Sequence, residues 1–295
     1  MASPAYDAKY RKYDDAPGRV VPCPLLSPDP SNATLAADRC EGSLVVGDEQ
    51  YEPWGTPHGG VIAELAERCM AGQSILAAGL DFDARPVTSS CQFRRRWRRG
   101  GQLHWSPTVI ATADIERAGG KLCFVQARLS MADDVVTETT GTFLALPRMD
   151  GWDGTEEERV RAYLIDLPAP ASLQLPVHRP GWSAGRIEGY FESPPASLHV
   201  ALDEAMAAAA NTVRGDAHGD EIPEDFLLAD MDLTLIGGGS AMDDGIEYES
   251  TIRRGGNGRD GFATARLVLK GRVLAYSRGR AVFLHGGPSG RPPVD

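Results

Sequence analysis

The sequence predicts an α+β chain that uses one plan twice, and three observations predict it. Runs with a period of two are separated by short turns bearing Gly or Asp, the pattern of antiparallel strands. Two stretches, "GVIAELAERCMAGQSILAAG" and "ASLHVALDEAMAAAANTV", are small or apolar nearly all round, the mark of helices buried on most faces. Each stands second in its half of the chain, after one strand and before four.

Residues 1–38 are rich in Pro, Asp and Ser without a period and read as an N-terminal arm. In the first domain, 39–148, "EGSLVVGDEQY" is a strand and the helix runs from about Gly60 to Ala78, ended by Gly79. The segments "PVTSSCQFRRRW", "WSPTVIATADIER", "KLCFVQARLSM" and "VVTETTGTFLALP" follow as strands, the last three as a meander. Residues 149–179 combine an acidic helical piece with proline-rich chain and read as a linker. The second domain, 180–288, repeats the order with "GRIEGYFES", a helix of mostly Ala, and "FLLADMDLTLIGG", "IEYESTIRRGG", "DGFATARLVLKG" and "RVLAYSRGRAVFL". Residues 289–295 form a tail. Two unrelated α+β domains are the alternative to a repeat of architecture.

The chain has 295 residues and a formal net charge of −11, which argues against a nucleic-acid-binding surface. Its five cysteines are spread out, with no Cys/His cluster for a metal, and read as reduced thiols. The charged start "MASPAYDAKYRKYDDAPGR" lacks the apolar core of a signal peptide, and no stretch reaches the roughly 20 apolar residues of a membrane span. A cytoplasmic location without membrane attachment is expected.

The stretch "WGTPHGGVIAELAERCMAG", Trp54 to Gly72, places His-Gly-Gly at the start of the first helix and a carboxylate, Glu67, nine residues after His58. Backbone N–H groups at a helix start favour negative charge, and glycine lets a ligand approach them closely. Of the two acids in this helix, Glu64 has Arg68 four residues on, the favourable order for an ion pair on a solvated face. Glu67 has no such neighbour in its own helix, so a buried setting would suit it only beside a cleft, water or substrate. A tight strand-to-helix turn without chemistry is the plain alternative for His-Gly-Gly.

This stretch resembles hotdog-fold acyl-CoA thioesterases, most of all the phenylacetate-pathway type, and the tandem layout resembles thioesterase II. The resemblance covers about residues 40–148 and 180–285. It implies a double hotdog, two curved antiparallel sheets each wrapped around a central helix, acting as an acyl-CoA thioester hydrolase. The implied site lies where two hotdogs meet, which suits the spacing: Gly60 and Glu67 are on the order of 10 Å apart along the helix, too far for one carbonyl to reach both. The amides of Gly59 and Gly60 would hold the oxyanion, with His58 holding the loop or orienting the carbonyl. The carboxylate would come from Glu67, or from Asp203 or Glu204 of the second half.

Aligning Met70 with Met206 sets Pro194-Pro195-Ala196 against His58-Gly59-Gly60 and Asp203 against Glu67, so one complete site per chain is expected. The thioesterase II pattern of Asp-His, Gln and Thr is incomplete: Asp230 and Asp232 lie near the Asp, but Leu233 replaces the His and Gly279 the Gln. Trp54, Thr56, Arg94, Arg96 and Asp232 are the expected substrate-binding residues, the arginines of "FRRRWRRGG" as a clamp for coenzyme A phosphates or else as a solvated sheet face. Arg253 and Arg254 read as the analogous turn of the second half. No metal or cofactor is expected beyond coenzyme A as part of the substrate, and the chain is expected to assemble as a dimer of double hotdogs. An enoyl-CoA hydratase or dehydratase of the double-hotdog type, and a non-catalytic acyl-CoA binder, are the alternatives. No GxSxG elbow supports serine-hydrolase chemistry.

Overall fold

The computed structural model describes residues 19–21, 39–45, 58–79, 81–94, 108–131, 134–148, 177–178, 185–191, 197–213, 226–236, 246–255 and 260–283. The chain divides into two compact units, Met1–Ala171 and Ser172–Asp295.

Among the described residues the first unit holds one helix, α1 (Gly59–Ala78). Its strands are β1 (Arg19–Val21), β2 (Arg39–Val45), β3 (Phe82–Phe93), β4 (Thr108–Gly119), β5 (Leu122–Met131) and β6 (Asp134–Pro147). Every pairing is antiparallel, in the order β1–β2–β4–β5–β6–β3. The meander β4–β5–β6 matches the sequence reading; its first turn is made by Gly120, whose φ of 61° suits a residue without a Cβ. The first strand after the helix, β3, pairs with the last, β6, from Phe82↔Pro147 to Phe93↔Thr137.

Alternation along β5 buries Cys123, Val125, Ala127 and Leu129 and exposes Leu122, Phe124 and Arg128. Helix α1 packs against all of β2 to β6. Four strand spacings of about 4.8 Å make such a sheet roughly 19 Å wide, against a helix about 10 Å across, so the sheet must curl for all five strands to reach it. Ala63, Ala66, Ala111, Ala113 and Ala127, all buried, keep the two surfaces close. Cys40, Cys69, Cys91 and Cys123 are buried in this unit and not joined in disulfides, and burial pushes the Cys123 thiol up.

The second unit follows the same plan with β7 (Val177–His178), β8 (Arg186–Tyr190), α2 (Leu198–Val213) and β9 (Phe226–Leu228). Then come β10 (Asp230–Leu235), β11 (Glu247–Arg254), β12 (Asp260–Leu269) and β13 (Arg272–Phe283). The strands run β7–β8–β11–β12–β13–β10, all antiparallel, with β9 also on β13. Strand for strand this repeats the order of the first unit, and β12 shows the same alternation of buried and exposed residues as β5. Helix α2 packs on β8, β11, β12 and β13.

One expected strand is two. "FLLADMDLTLIGG" breaks at Ala229 into β9 and β10. There the Arg280 backbone N–H donates to the Asp230 carboxylate at 2.7 Å, and the Ala229 N–H donates to the Arg280 carbonyl at 2.7 Å. The Asp230 side chain thus supplies the acceptor that the broken ladder withholds. Among the described residues no helix is long and apolar enough to cross a membrane.

Candidate functional site

Helix α1 starts from an N-cap made by His58, which is only 4% exposed. Its Nδ1 accepts the Gly60 N–H at 3.2 Å, and its carbonyl accepts the N–H groups of Val61 and Ile62 at 3.1 and 3.2 Å. With Nδ1 acting as acceptor, a neutral His58 carries its proton on Nε2. Of the four amides from Gly59 to Ile62, the Gly59 N–H alone has no acceptor among the described residues. Gly59 is also part-exposed whereas Gly60 is buried. The two glycines paired in the sequence reading therefore differ: Gly60 belongs to the cap, and Gly59 stands part-exposed at the positive end of the helix. The far end stops at Gly79, whose φ of 101° excludes most side chains and whose N–H donates to the Ile75 carbonyl at 2.8 Å.

The expected Glu64–Arg68 pair forms, with Arg68 Nε donating to Glu64 Oε1 at 2.8 Å. Its setting differs from expectation: the two side chains are 14% and 22% exposed, so the pair sits in a mostly buried place rather than on a solvated face. Glu67, one turn on, is part-buried, and its Oε2 is enclosed. Glu67 lies seven to eight residues from Gly59 and Gly60, about 10–12 Å along the axis.

Helix α2 shifts the alignment expected from the sequence. The Ser197 carbonyl accepts the Ala201 N–H at 3.0 Å, and its hydroxyl accepts the Val200 N–H at 3.4 Å, so Ser197 caps α2 as His58 caps α1. Counted from the caps, Asp203 falls opposite Glu64, and Glu67 falls opposite Met206. Pro194-Pro195-Ala196 therefore lies before the cap and is not the counterpart of His-Gly-Gly. Asp203 is buried at 6% exposure and Glu204 is part-buried. Sequence reasoning missed His199, which is 2% exposed in the first turn of α2; its signal was the four-residue step from His199 to Asp203 in "SLHVALDE".

The other expected binding residues are spread out. Trp54, Thr56 and Arg96 lie outside the described residues. Arg94 is exposed just past β3, and its guanidinium pairs with Glu138, which Arg128 Nε also approaches at 3.7 Å. Asp232 accepts from Arg278 Nε at 3.2 Å across β10 and β13. Its neighbours Met231 and Leu233 point to the buried side, so Asp232 is on the opposite, outer face of the sheet. Arg253 and Arg254 end β11, the counterpart of β4, and so do not occupy the turn analogous to "RRRWRRGG".

The position expected for a Gln is Gly279 for a steric reason. Val125↔Gly141 and Ala263↔Gly279 are equivalent pairs, so the two glycines hold the same place on β6 and β13. A Cβ at Gly279 would collide with the Asp230 carbonyl oxygen where β10 breaks from β9. A Cβ at Gly141 would stand 2.8 Å from the Phe143 ring and 3.1 Å from the Met70 thioether.

No family model matches the sequence, and no curated protein matches it. Solved structures do match. A conserved protein of unknown function with a hot dog fold from Alicyclobacillus acidocaldarius superposes with a TM-score of 0.53 at 14% identity, over 87% of this chain and 94% of that one. A proposed thioesterase from Novosphingobium aromaticivorans gives 0.57 at 16% identity, over 85% and 96%. The tesB protein of Mycobacterium avium subsp. paratuberculosis gives 0.52 at 15% identity, over 84% and 93%. The chain has the hotdog fold, shared with structures that carry thioesterase names.

Proposed function

We propose that this chain is a tandem double hotdog that hydrolyses acyl-CoA thioesters. The observation that carries the reading is the N-terminus of α1, where the His58 cap engages Gly60 and leaves the part-exposed Gly59 amide to a ligand. That amide, with the helix dipole behind it, suits the oxyanion that grows on a thioester carbonyl, and one such donor is worth about 10²–10³ in rate. Solved structures of the same fold that are named as thioesterases support the reading.

The reaction also needs a carboxylate to attack or to activate water. Because α1 holds Glu67 about 10–12 Å from its own glycines, the acid serving a given Gly59 comes from another helix: Asp203 or Glu204 in this chain, or Glu67 of a second copy. Proton removal from water, attack on the carbonyl carbon and departure of sulfur need no metal or redox partner. Coenzyme A takes part only as the leaving group, with Arg94 and Arg96 as candidate phosphate contacts. A cytoplasmic location and a dimer of such chains complete the proposal.

A panel of acyl-CoAs with a thiol-trapping dye tests it. Release of coenzyme A above blank, reduced at least tenfold by Glu67→Ala or Asp203→Ala, is the expected result. Saturable binding without release would replace hydrolysis by a binding role. A change in enoyl-CoA absorbance without thiol release would replace it by hydration.

A further inference from the structure

Phe262 is 67% exposed, more than any other large apolar side chain among the described residues. Its neighbours along β12, Ala263, Ala265 and Leu267, are buried, and α2 packs on that strand. Alternation therefore sets Phe262 on the outer face of the sheet, away from α2. The register places it between two arginines, Arg253 of β11 on one side and Arg280 of β13 on the other. In the next row Thr264 stands opposite Arg278.

Aspartates stand among these arginines. Arg278 reaches Asp232 at 3.2 Å, Arg280 reaches Asp230 at 3.4 Å, and the exposed Asp260 lies two residues before Phe262 on the same face. Arg253 is exposed and makes no hydrogen bond or ion pair among the described residues. Arg253, Arg278 and Arg280 thus balance Asp230, Asp232 and Asp260 around the ring, on a chain whose net charge is −11. The first unit lacks this arrangement at the equivalent place: Phe124 lies opposite Arg117 as Phe262 lies opposite Arg253, but it is only 37% exposed and has Thr142 on its other side.

We propose that the outer face of β11, β12 and β13 around Phe262 is the contact between two copies of this chain, paired about a twofold axis; this rests on the dimer named under the proposed function and locates it. A net charge of −11 makes two copies repel, and a charge-balanced patch is where that repulsion is least. Arginine and aromatic side chains are the types enriched where proteins meet, and they dominate the binding energy there. Because both signs of charge lie on one face, a twofold turn sets arginines of one copy against aspartates of the other as the two Phe262 rings are covered. A phosphorylated ligand would meet the three aspartates together with the three arginines, so charge gives it no advantage on this face.

The test is sedimentation of the full chain over a concentration series, on wild type, Phe262→Glu and Phe124→Glu, with far-ultraviolet circular dichroism of each. Wild type and Phe124→Glu are expected to sediment as dimers, while Phe262→Glu, folded like wild type, raises the dimer dissociation constant at least about 30-fold, the loss expected of a central contact. As a second reading that places no charge on the face, Phe262→Cys under mild oxidation is expected to yield a covalent dimer in excess of that from wild type or Phe124→Cys. A Phe262→Glu that dimerises as wild type does overturns the proposal, as does a Phe262→Cys that crosslinks no more than Phe124→Cys. A wild type that releases thiol from acyl-CoA as a monomer sinks the dimer and this inference but leaves hydrolysis standing. A wild-type dimer indifferent to Phe262→Glu sinks this inference alone.

Discussion

The His58 Nδ1 accepts the backbone N–H of Gly60 at 3.2 Å, so the histidine of the Gly-Gly turn is a helix cap before it is anything else. Loss of an N-cap side chain costs about 1 kcal/mol. His58→Ala is expected to lower the thermal midpoint by about 2–4 °C, and His58→Asn, which keeps an acceptor at the cap, by less. Equal losses in a calorimetric comparison would show that the imidazole does not act as the cap.

Glu64 and Arg68 meet at 2.8 Å in a mostly buried place, which separates the two acids of α1 by effect. Glu64→Ala leaves the Arg68 guanidinium without this partner and is expected to cost on the order of 1 kcal/mol of stability. Its turnover of acyl-CoA per folded molecule should stay within threefold of wild type, while Glu67→Ala loses at least tenfold. A kcat loss for Glu64→Ala as large as that for Glu67→Ala would assign the ion pair to the chemistry.

Gly141 and Gly279 hold the same place in the two units but face different obstacles. An added methyl meets side chains at Gly141 and a backbone carbonyl at Gly279. Side chains yield more easily than a strand, so Gly279→Ala is expected to cost more than Gly141→Ala, within the 1–3 kcal/mol typical of overpacking. Urea unfolding of the two variants checks the order, and a larger loss for Gly141→Ala would reverse the assignment.

Tyr248 is 2% exposed, its ring centroid 5.5 Å from that of Phe191 with the two rings tilted at 56°, and desolvation raises its hydroxyl above the ordinary value of 10.0. In the folded chain the phenol keeps its proton at a pH where the unfolded chain loses it. Stability is therefore fully present below pH 10 and falls above it, by at most about 1.4 kcal/mol per pH unit from this group. Tyr248→Phe is expected to lose less stability than wild type between pH 10 and 11. Parallel stability curves over that interval would remove the assignment.

Much of the fold was legible because its signals are local. The span of α1 follows from a mostly small and apolar run closed by Gly79, and the β4–β5–β6 meander from alternation punctuated by glycine. The helix pair Glu64–Arg68 is equally local, since four residues is one turn. The exposure of that pair was not legible, because burial depends on what packs around a helix and not on its own spacing.

The sequence by itself determined the two-fold plan, the place of each helix and the His-Gly-Gly start, all of them set by backbone preferences over a few residues. Only the tertiary structure decided that β3 pairs with β6 and that Asp232 points outward beside Arg278. It also decided that Ser197 caps α2, which moves Asp203 from the place of Glu67 to that of Glu64. The physical reason is that a cap or a strand register is chosen by which partner satisfies a backbone N–H, and that partner is not written in the period of either segment.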